Sequence, residues 1–468
     1  MSGHPNILLD LIDRGAADLK PDPMKVVPEA RATSRVLVLT PSVQNPGGIQ
    51  RYSRTLTRAL QEILGCSNVV TIAAQEPRVD ARTRRTKLAV AAKLQLGWQA
   101  ISEAVHWRPD LIICTHLSFG PAAWMARILT ERPYWIVVHG IEAWCDLPYW
   151  KRIALAHADR ILVTSAFSRE QVASRHQIGS ELMWTLPCTL DETLLSVEPS
   201  KSGLCQSLGD GRRVILTVAR MDSSEGYKGH DVVLQALPSV LAKVPDLVYV
   251  VVGGGDDRSR LESLARDLRV AEHVVFTGEI SDSELAALYQ RSEIFVLPAR
   301  TEVGGSNPKG EGFGIVFLEA MAFKKPVIGP DYGAPAELVR DGQNGLLVRA
   351  DDAASVAEAI SKMLLNPDMA RAMGKTGGDW VRKRYSYRSF SEQLKEMLAR
   401  FASDAGSSLV VTADVRSSTR SQNIKRSAGS HVLEIVSLVW LVAINMLYYA
   451  QFRGALISLL GRVFKIWR

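Results

Sequence analysis

The stretch Glu311-Gly-Phe-Gly-Ile-Val-Phe-Leu-Glu319, with the loop 298–310 before it and Ala320-Met-Ala-Phe323 behind, decides how this chain is read. Ahead of it a hydrophobic strand, Ile294-Phe-Val-Leu297, stops at Pro298; a polar, glycine-rich loop follows, and an apolar run opens at Ile315. The order is strand, loop, helix. Such a loop turns backbone N–H groups and a helix N-terminus toward an anion. Two carboxylates bracket that N-terminus, Glu311 in the loop and Glu319 one to two turns into the helix, where both can face one cavity. A carboxylate ahead of a helix also serves as a plain cap, and one on its surface as a solvated side chain. The spacing E-x7-E around Gly-Phe-Gly is nevertheless far more specific than a lone glycine pair.

The same grammar recurs on both sides. Upstream, 35–40 reads as a strand, Pro41-Ser-Val-Gln-Asn-Pro-Gly-Gly48 as a turn, and about 49–64 as a helix. Strands are expected near 69–73, 111–114, 135–139, 160–164 and 182–186, with helical stretches between most of them, as parallel strands require for their crossovers. The basic run 77–87, with Arg78, Arg82, Arg84, Arg85 and Lys87 against Asp80, reads as a solvated loop. A second series opens at Arg213-Val-Ile-Leu-Thr-Val-Ala219, with strands expected at 247–252, 274–277, 294–297, 326–328 and 345–348, and helices at 231–243, 256–268 and 283–291. The polar stretch 198–211 between the two series is the natural boundary. The expected fold class is α/β, two Rossmann-like β/α/β domains in tandem with a C-terminal helical tail.

Composition limits the alternatives. Of 468 residues, 22% are charged and 47% hydrophobic, which excludes a wholly disordered chain and leaves room for two or three cores. The net charge of +7 suits a phosphate-bearing ligand or an anionic membrane surface without choosing between them. Cys66, Cys114, Cys145, Cys188 and Cys205 are scattered, without a CxxC pair, so reduced, buried thiols of a cytoplasmic protein are expected, and a zinc site or disulfide framework is not. No apolar signal opens the chain, and export is not expected.

Residues 1–34 read as a loosely ordered leader with a short helix near 7–12. Helical pattern runs from about 351 to 402, the serine-rich stretch 404–430 reads as a linker, and 431–468 as an apolar and basic tail. Residues 432–450 are nearly all apolar, and Arg462, Lys465 and Arg468 recur at three-residue spacing behind them. Three readings stay open for this tail: a soluble hairpin, a helix just long enough to cross a bilayer core of about 30 Å, or an interfacial anchor. Membrane association is favoured over a soluble role. Positive charge on both sides gives no orientation.

The motifs resemble those of the retaining glycosyltransferases of family 4 over roughly 35–402. That resemblance implies a GT-B fold: an N-terminal acceptor domain at 35–197 facing, across a cleft, a nucleotide-sugar domain at 212–385, with a closing helix at 386–403 that packs back over the junction. Arg220 at a strand end and Lys228 in Lys228-Gly229-His230-Asp231 resemble the family's R...KG pair. The resemblance implies that they hold the diphosphate and stabilise the departing nucleotide, as cations do for developing negative charge. His139, following Trp135-Ile-Val-Val138, matches the histidine beside the donor sugar; a structural histidine is also common at a strand end. Glu311 matches the carboxylate near that sugar and Glu319 the one that accepts from ribose hydroxyls. The amides of Phe313, Gly314, Ile315 and Val316 would face sugar and phosphates. Ile280, in Thr277-Gly-Glu-Ile-Ser281, would lie at the base, and Ser165-Ala-Phe-Ser168 follows the family pattern. Gly47 and Gly48 would let backbone approach the ligand closely, or only make a tight turn.

No DxD pair is placed to demand a metal, so metal-independent transfer without a cofactor is expected. Catalysis is assigned to Glu311, His139, Arg220 and Lys228. The expected activity moves a hexose from a UDP- or GDP-sugar to a glycan or lipid-linked acceptor in cell-surface polysaccharide or glycolipid synthesis, on the cytoplasmic face of the membrane, with no nucleic-acid partner. A sugar-nucleotide epimerase of similar build and a non-catalytic, membrane-recruited scaffold are the alternatives. One departure stands out: Pro187-Cys-Thr-Leu-Asp191 replaces the family's Pro-Asn-Gly-Val-Asp before the interdomain linker, which puts the hinge geometry in question.

Overall fold

The computed structural model describes residues 34–416, apart from 42–46, 75–81, 191, 201–202, 210 and 304–306; for 82–94, 204, 207 and 404–416 it describes the backbone alone. Nearly all of the expected leader, the C-terminal part of the expected linker and the whole tail, 431–468, lie outside the described residues.

In the first lobe β1 (Val36–Thr40), α1 (Gly48–Leu64), β2 (Val69–Ala73), α2 (Arg82–Trp107), β3 (Leu111–Cys114) and α3 (Gly120–Thr130) lead to β4 (Tyr134–Val138), α4 (Tyr149–Ala156), β5 (Arg160–Val163), α5 (Ala166–His176) and β6 (Met183–Thr185). The short helices α6 (Glu192–Ser196) and α7 (Gly203–Ser207) lead to the second lobe. This comprises β7 (Arg213–Val218), α8 (His230–Leu241), β8 (Leu247–Val252), α9 (Arg258–Asp267), β9 (Val274–Gly278), α10 (Asp282–Arg291), β10 (Ile294–Val296), α11 (Ile315–Ala322), β11 (Val327–Pro330) and β12 (Gly345–Val348). Helices α12 (Ala353–Leu365), α13 (Pro367–Arg384) and α14 (Tyr387–Arg416) close the described chain.

Each lobe is built on a six-stranded sheet, in the orders β2-β1-β3-β4-β5-β6 and β12-β11-β10-β7-β8-β9, and every strand pair is parallel. Parallel strands covered by helices on both faces read as unbroken apolar runs, and Leu247-Val-Tyr-Val-Val-Val252 is buried along its whole length. The chain reverses its direction of travel across each sheet beside the first strand, between β1 and β3 and between β7 and β10. Ligand crevices of open α/β sheets form at such switch points, outside the carboxyl ends of the strands. The loops after β1, β7 and β10 lie at these switch points, and the loop after β4, one strand further along the first sheet, carries His139.

Helix α14 returns to the first lobe. Phe390 lies edge-on to Tyr52 at 5.6 Å and Phe401 edge-on to Trp135 at 5.2 Å. Leu190 N–H donates to the Tyr385 carbonyl at 2.9 Å, and Cys188 and Leu190 are buried in a core cluster that runs through both lobes. The unusual hinge thus places Cys188 and Leu190 in this core, with Thr189 buried between them.

Three expectations need correction. Residues 82–87, read as loop, begin α2, because the threonines and arginines there are tolerated in a helix whose apolar period starts only at Leu88. The chain is helical to Arg416, past the expected linker start at 404. Cys66 is exposed, whereas Cys114 and Cys188 are buried. Among the described residues no helix is long and apolar enough to cross a membrane.

Candidate active site

Lys228 ends a 3-10 turn, Ser223–Lys228, that follows β7. Gly229 then takes φ 80°, and a Cβ there would stand 2.5 Å from the Pro298 carbonyl oxygen, so only glycine lets this turn pack under the end of β10. Arg300 braces the turn from the other side, donating to the Gly226 carbonyl at 2.5 Å and pairing with Asp231 at 3.4 Å. Braced in this way, the Lys228 ammonium donates to the Glu311 carboxylate, and both side chains are largely buried. Burial pulls the ammonium down, but Glu311 and Tyr227 outweigh it, and Lys228 is held above the ordinary lysine range. The expected cation and carboxylate meet.

Arg220 stands apart. It is 71% exposed and pairs with Glu225, not with the Lys228–Glu311 couple. Its carbonyl accepts from Nε2 of His230, a histidine held below its ordinary value mainly by burial. The side chain is mostly solvated.

Gly314 adopts φ 99° as the residue before α11, and Phe313 is buried beside it. Ile315 and Val316 form the first turn of α11, and a Cβ on Gly48 would lie 3.2 Å from Ile315 Cδ1. Gly48 therefore lies against the start of α11 from the opposite lobe, while Gly47, like it exposed, faces Gln50 of its own lobe. Ile280 lies between β9 and α10, partly packed into the core; β9 is the edge strand, three places from β10, so Ile280 is not drawn in with the ion pair.

Glu319 is 4% exposed. Its Oε2 accepts from the Tyr289 hydroxyl at 3.0 Å, and its Oε1 accepts from Arg51 Nη1 at 2.5 Å. Arg51 belongs to the first lobe, one turn into α1. Glu319 and Glu311 thus have separate cations, from separate lobes.

His139 follows β4 and is 9% exposed. Its Nε2 lies 2.8 Å from the Thr115 carbonyl oxygen, and a carbonyl only accepts, so Nε2 carries the proton and Nδ1 the lone pair. Burial holds the ring below its ordinary value, hence neutral. His116 stacks on it at 6.2 Å and Tyr52 meets it edge-on at 5.1 Å. The backbone here touches the other lobe. A Cβ on Gly312 would fall 2.1 Å from the His139 carbonyl oxygen, and one on Gly140 would fall 2.6 Å from Gly312 Cα. Thr164 and Ser165 both donate to the Gly312 carbonyl at 3.4 Å. His139, Glu311 and the start of α11 are therefore brought to one seam.

Sequence reading missed Arg51, Tyr289 and Glu337 at the seam, and Glu225, which holds Arg220 away from it. Ser165 caps α5 by accepting from Ser168 N–H at 3.1 Å. Glu337 Oε2 and Oε1 accept from Ala166 N–H at 3.0 Å and Phe167 N–H at 2.5 Å, so a second-lobe carboxylate seals a first-lobe helix. Burial pushes Glu337 up despite those donors. Arg51 carried one signal, its place a turn beyond the glycine bend; Glu337 carried none. Among the described residues no group of three or more His, Cys, Asp or Glu side chains is arranged to hold a metal ion.

This arrangement of paired lobes and motifs can be compared with known proteins. Residues 46–194 match the family model described as Glycosyltransferase Family 4, and residues 206–380 that described as Glycosyl transferases group 1. The chain is 34% identical over 283 residues, 59% of its length and 72% of the relative's, to a GDP-mannose-dependent alpha-(1-6)-phosphatidylinositol monomannoside mannosyltransferase of Mycolicibacterium smegmatis. The chain belongs to glycosyltransferase family 4. A second relative of this glycosyltransferase, the alpha-D-kanosaminyltransferase of Streptomyces kanamyceticus, is 25% identical over 58% of the chain and 67% of its own length. Among solved structures, Anabaena HepE in complex with UDP aligns with a TM-score of 0.61 at 19% identity, covering 78% of this chain and 100% of HepE. The sucrose-phosphate synthase of Thermosynechococcus elongatus aligns at 0.62 and 21% identity, over 79% and 100%. These structures share the GT-B fold, as expected from the sequence.

Proposed function

We propose that this glycosyltransferase transfers a hexosyl group from a nucleoside diphosphate sugar, GDP-mannose foremost among the UDP- and GDP-sugars, to a lipid-linked or glycan acceptor at the cytoplasmic face of a membrane. The transfer retains anomeric configuration and needs neither metal nor cofactor. The observation that carries this reading is the buried Lys228–Glu311 pair at the strand ends, directly under the seam that joins Gly312 to His139. The GDP-mannose-dependent relatives support the donor and the glycolipid acceptor.

In this reading the lobe of 35–197 receives the acceptor and that of 212–385 the donor. Lys228, with Arg220 recruited from the rim, and the N-terminal amides of α11 offset the charge that gathers on the leaving diphosphate. Glu311 and the neutral His139 contact hydroxyls of the transferred sugar, and Glu319 those of the ribose. Ile280 lies at the base. No side chain stands out as a covalent nucleophile, so the acceptor attacks on the face that the diphosphate leaves, and the departing oxygen takes the acceptor's proton. Packing of Gly312 on the ends of β4 and β5 excludes water from the reacting centre. The tail supplies membrane contact.

A panel of nucleotide sugars scored by thermal stabilisation names the donor, because a ligand that binds only the folded state raises its melting point. Proton NMR of the glycoside made with and without EDTA then reads both finer points. A β-linked product from an α-donor, or loss of turnover with EDTA, overturns retention or metal independence respectively.

A further inference from the structure

The turn that delivers Lys228 delivers a second polar group with it. Tyr227 precedes Lys228 in the 3-10 turn Ser223–Lys228 and keeps only a narrow exposed margin, 8%, much as Lys228 and Glu311 do. Arg300 fixes it from two directions: the Arg300 N–H donates to the Tyr227 carbonyl at 2.7 Å, and the guanidinium to the preceding Gly226 carbonyl at 2.5 Å. Lys228 Nζ lies 5.2 Å from the centre of the Tyr227 ring and hydrogen-bonds to its hydroxyl. An ammonium only donates, so the phenol oxygen is the acceptor in that bond and its own proton is left for another partner. Glu311 and Glu225 act on the phenol through charge alone; their hydrogen bonds go to Lys228 and Arg220. Among the described residues, no acceptor takes the Tyr227 proton. Burial, opposed by Lys228, pushes the phenol up to about 12, so in the neutral range it is a donor and not a base.

We propose that Tyr227 is a further catalytic residue: its hydroxyl donates to the diphosphate oxygen that Lys228 neutralises, adding a neutral donor where negative charge gathers as the sugar leaves. This rests on the reading of Lys228 as a diphosphate ligand. Two physical points favour an anion over a sugar hydroxyl as the acceptor. Accepting a hydrogen bond from an ammonium polarises the phenol, which makes its O–H a better donor, and the gain is largest toward a charged oxygen. The turn is also braced before any ligand arrives, so the dipole is set in place without reorganisation as charge develops, the condition under which a single donor matters most.

The test uses the full chain with Tyr227→Phe, which removes the hydroxyl and keeps the ring, with Lys228→Met, and with both together, titrated calorimetrically with GDP and GMP; UDP and UMP replace them if GDP does not bind. Tyr227→Phe is expected to weaken GDP about tenfold and GMP by less than about twofold, the scale of one hydrogen bond to a charged group. It should lower kcat about 10²-fold, with melting little changed. The loss of GDP affinity must persist in the Lys228→Met background, since a phenol that acted only by placing the ammonium would add nothing once the ammonium is gone. Unchanged GDP affinity in Tyr227→Phe, equal losses for GDP and GMP, or no further loss in the double variant overturns the proposal. Lys228→Met alone is the separate check: if it binds GDP as tightly as the wild type, the diphosphate reading of Lys228 has itself failed. Should Tyr227→Phe not fold, 2,3-difluorotyrosine placed at position 227, a stronger donor of the same shape, must tighten GDP or the proposal falls.

Discussion

The Lys228 ammonium donates directly to the Glu311 carboxylate, and the two side chains keep only 13% and 16% of their exposure. A pair this enclosed has two separable consequences, one for stability and one for transfer. Removing either partner strands a buried charge, so Lys228→Met or Glu311→Met should each cost about 3 kcal/mol, and the double variant less than either. Urea denaturation checks this. Transfer should fall about 10²–10³-fold in all three, the scale for losing one group that stabilises transition-state charge.

Arg220 offers the contrasting case. With 71% of its side chain exposed, its ion pair with Glu225 contributes little to stability. Arg220→Ala should change unfolding free energy by no more than about 0.5 kcal/mol, while transfer drops by about 10²-fold if it is recruited to the diphosphate. Equal activity with unchanged stability would remove Arg220 from the mechanism.

Gly312→Ala probes closure itself. Gly312 is not in the left-handed region, so alanine is compatible with its backbone; the obstacle is the His139 carbonyl oxygen, 2.1 Å from the new Cβ. The lobes must separate to make room. We expect a displacement of this size to lower kcat by about 10²-fold, with melting little changed, as measured by steady-state transfer and calorimetry.

Acid should destabilise the fold before carboxylates titrate. His139 and His230 are both held below the ordinary 6.5, first by burial. Between the folded and unfolded values the unfolded chain binds more protons, so their contribution is complete above about pH 6.5 and is lost as pH falls. The denaturation midpoint should be lower at about pH 5 than at about pH 7.5, and His230→Gln, whose amide can still donate to the Arg220 carbonyl, should flatten that slope.

The membrane contact proposed above is assigned, from sequence alone, to residues beyond Arg416. A chain truncated after Arg416 should keep transfer to a water-soluble acceptor and lose co-sedimentation with vesicles containing anionic lipid. Retained vesicle binding would move the contact to the lobes.

The Lys228–Glu311 contact was suggested by local patterns: Lys228 with Gly229 precedes a helix, and Glu311 lies in the glycine-rich connection before α11, which itself carries Glu319. Arg220 was legible as a position but not as an orientation: at a strand end, nothing in the residue order says whether a long side chain turns inward or, as here, to Glu225 and solvent. The arginine-rich start of α2 was misread because charge and a weak apolar period conceal a helix.

Residue order by itself determined the two series of parallel strands, the switch-point loops and the types of charge those loops carry, since alternation of apolar runs with helical stretches is a property of neighbours along the chain. Only the tertiary structure decided who meets whom across the seam. Arg51 reaches Glu319 over 268 positions and Phe167 reaches Glu337 over 170, distances at which no periodicity survives and partners are chosen by how two finished sheets come to rest against each other.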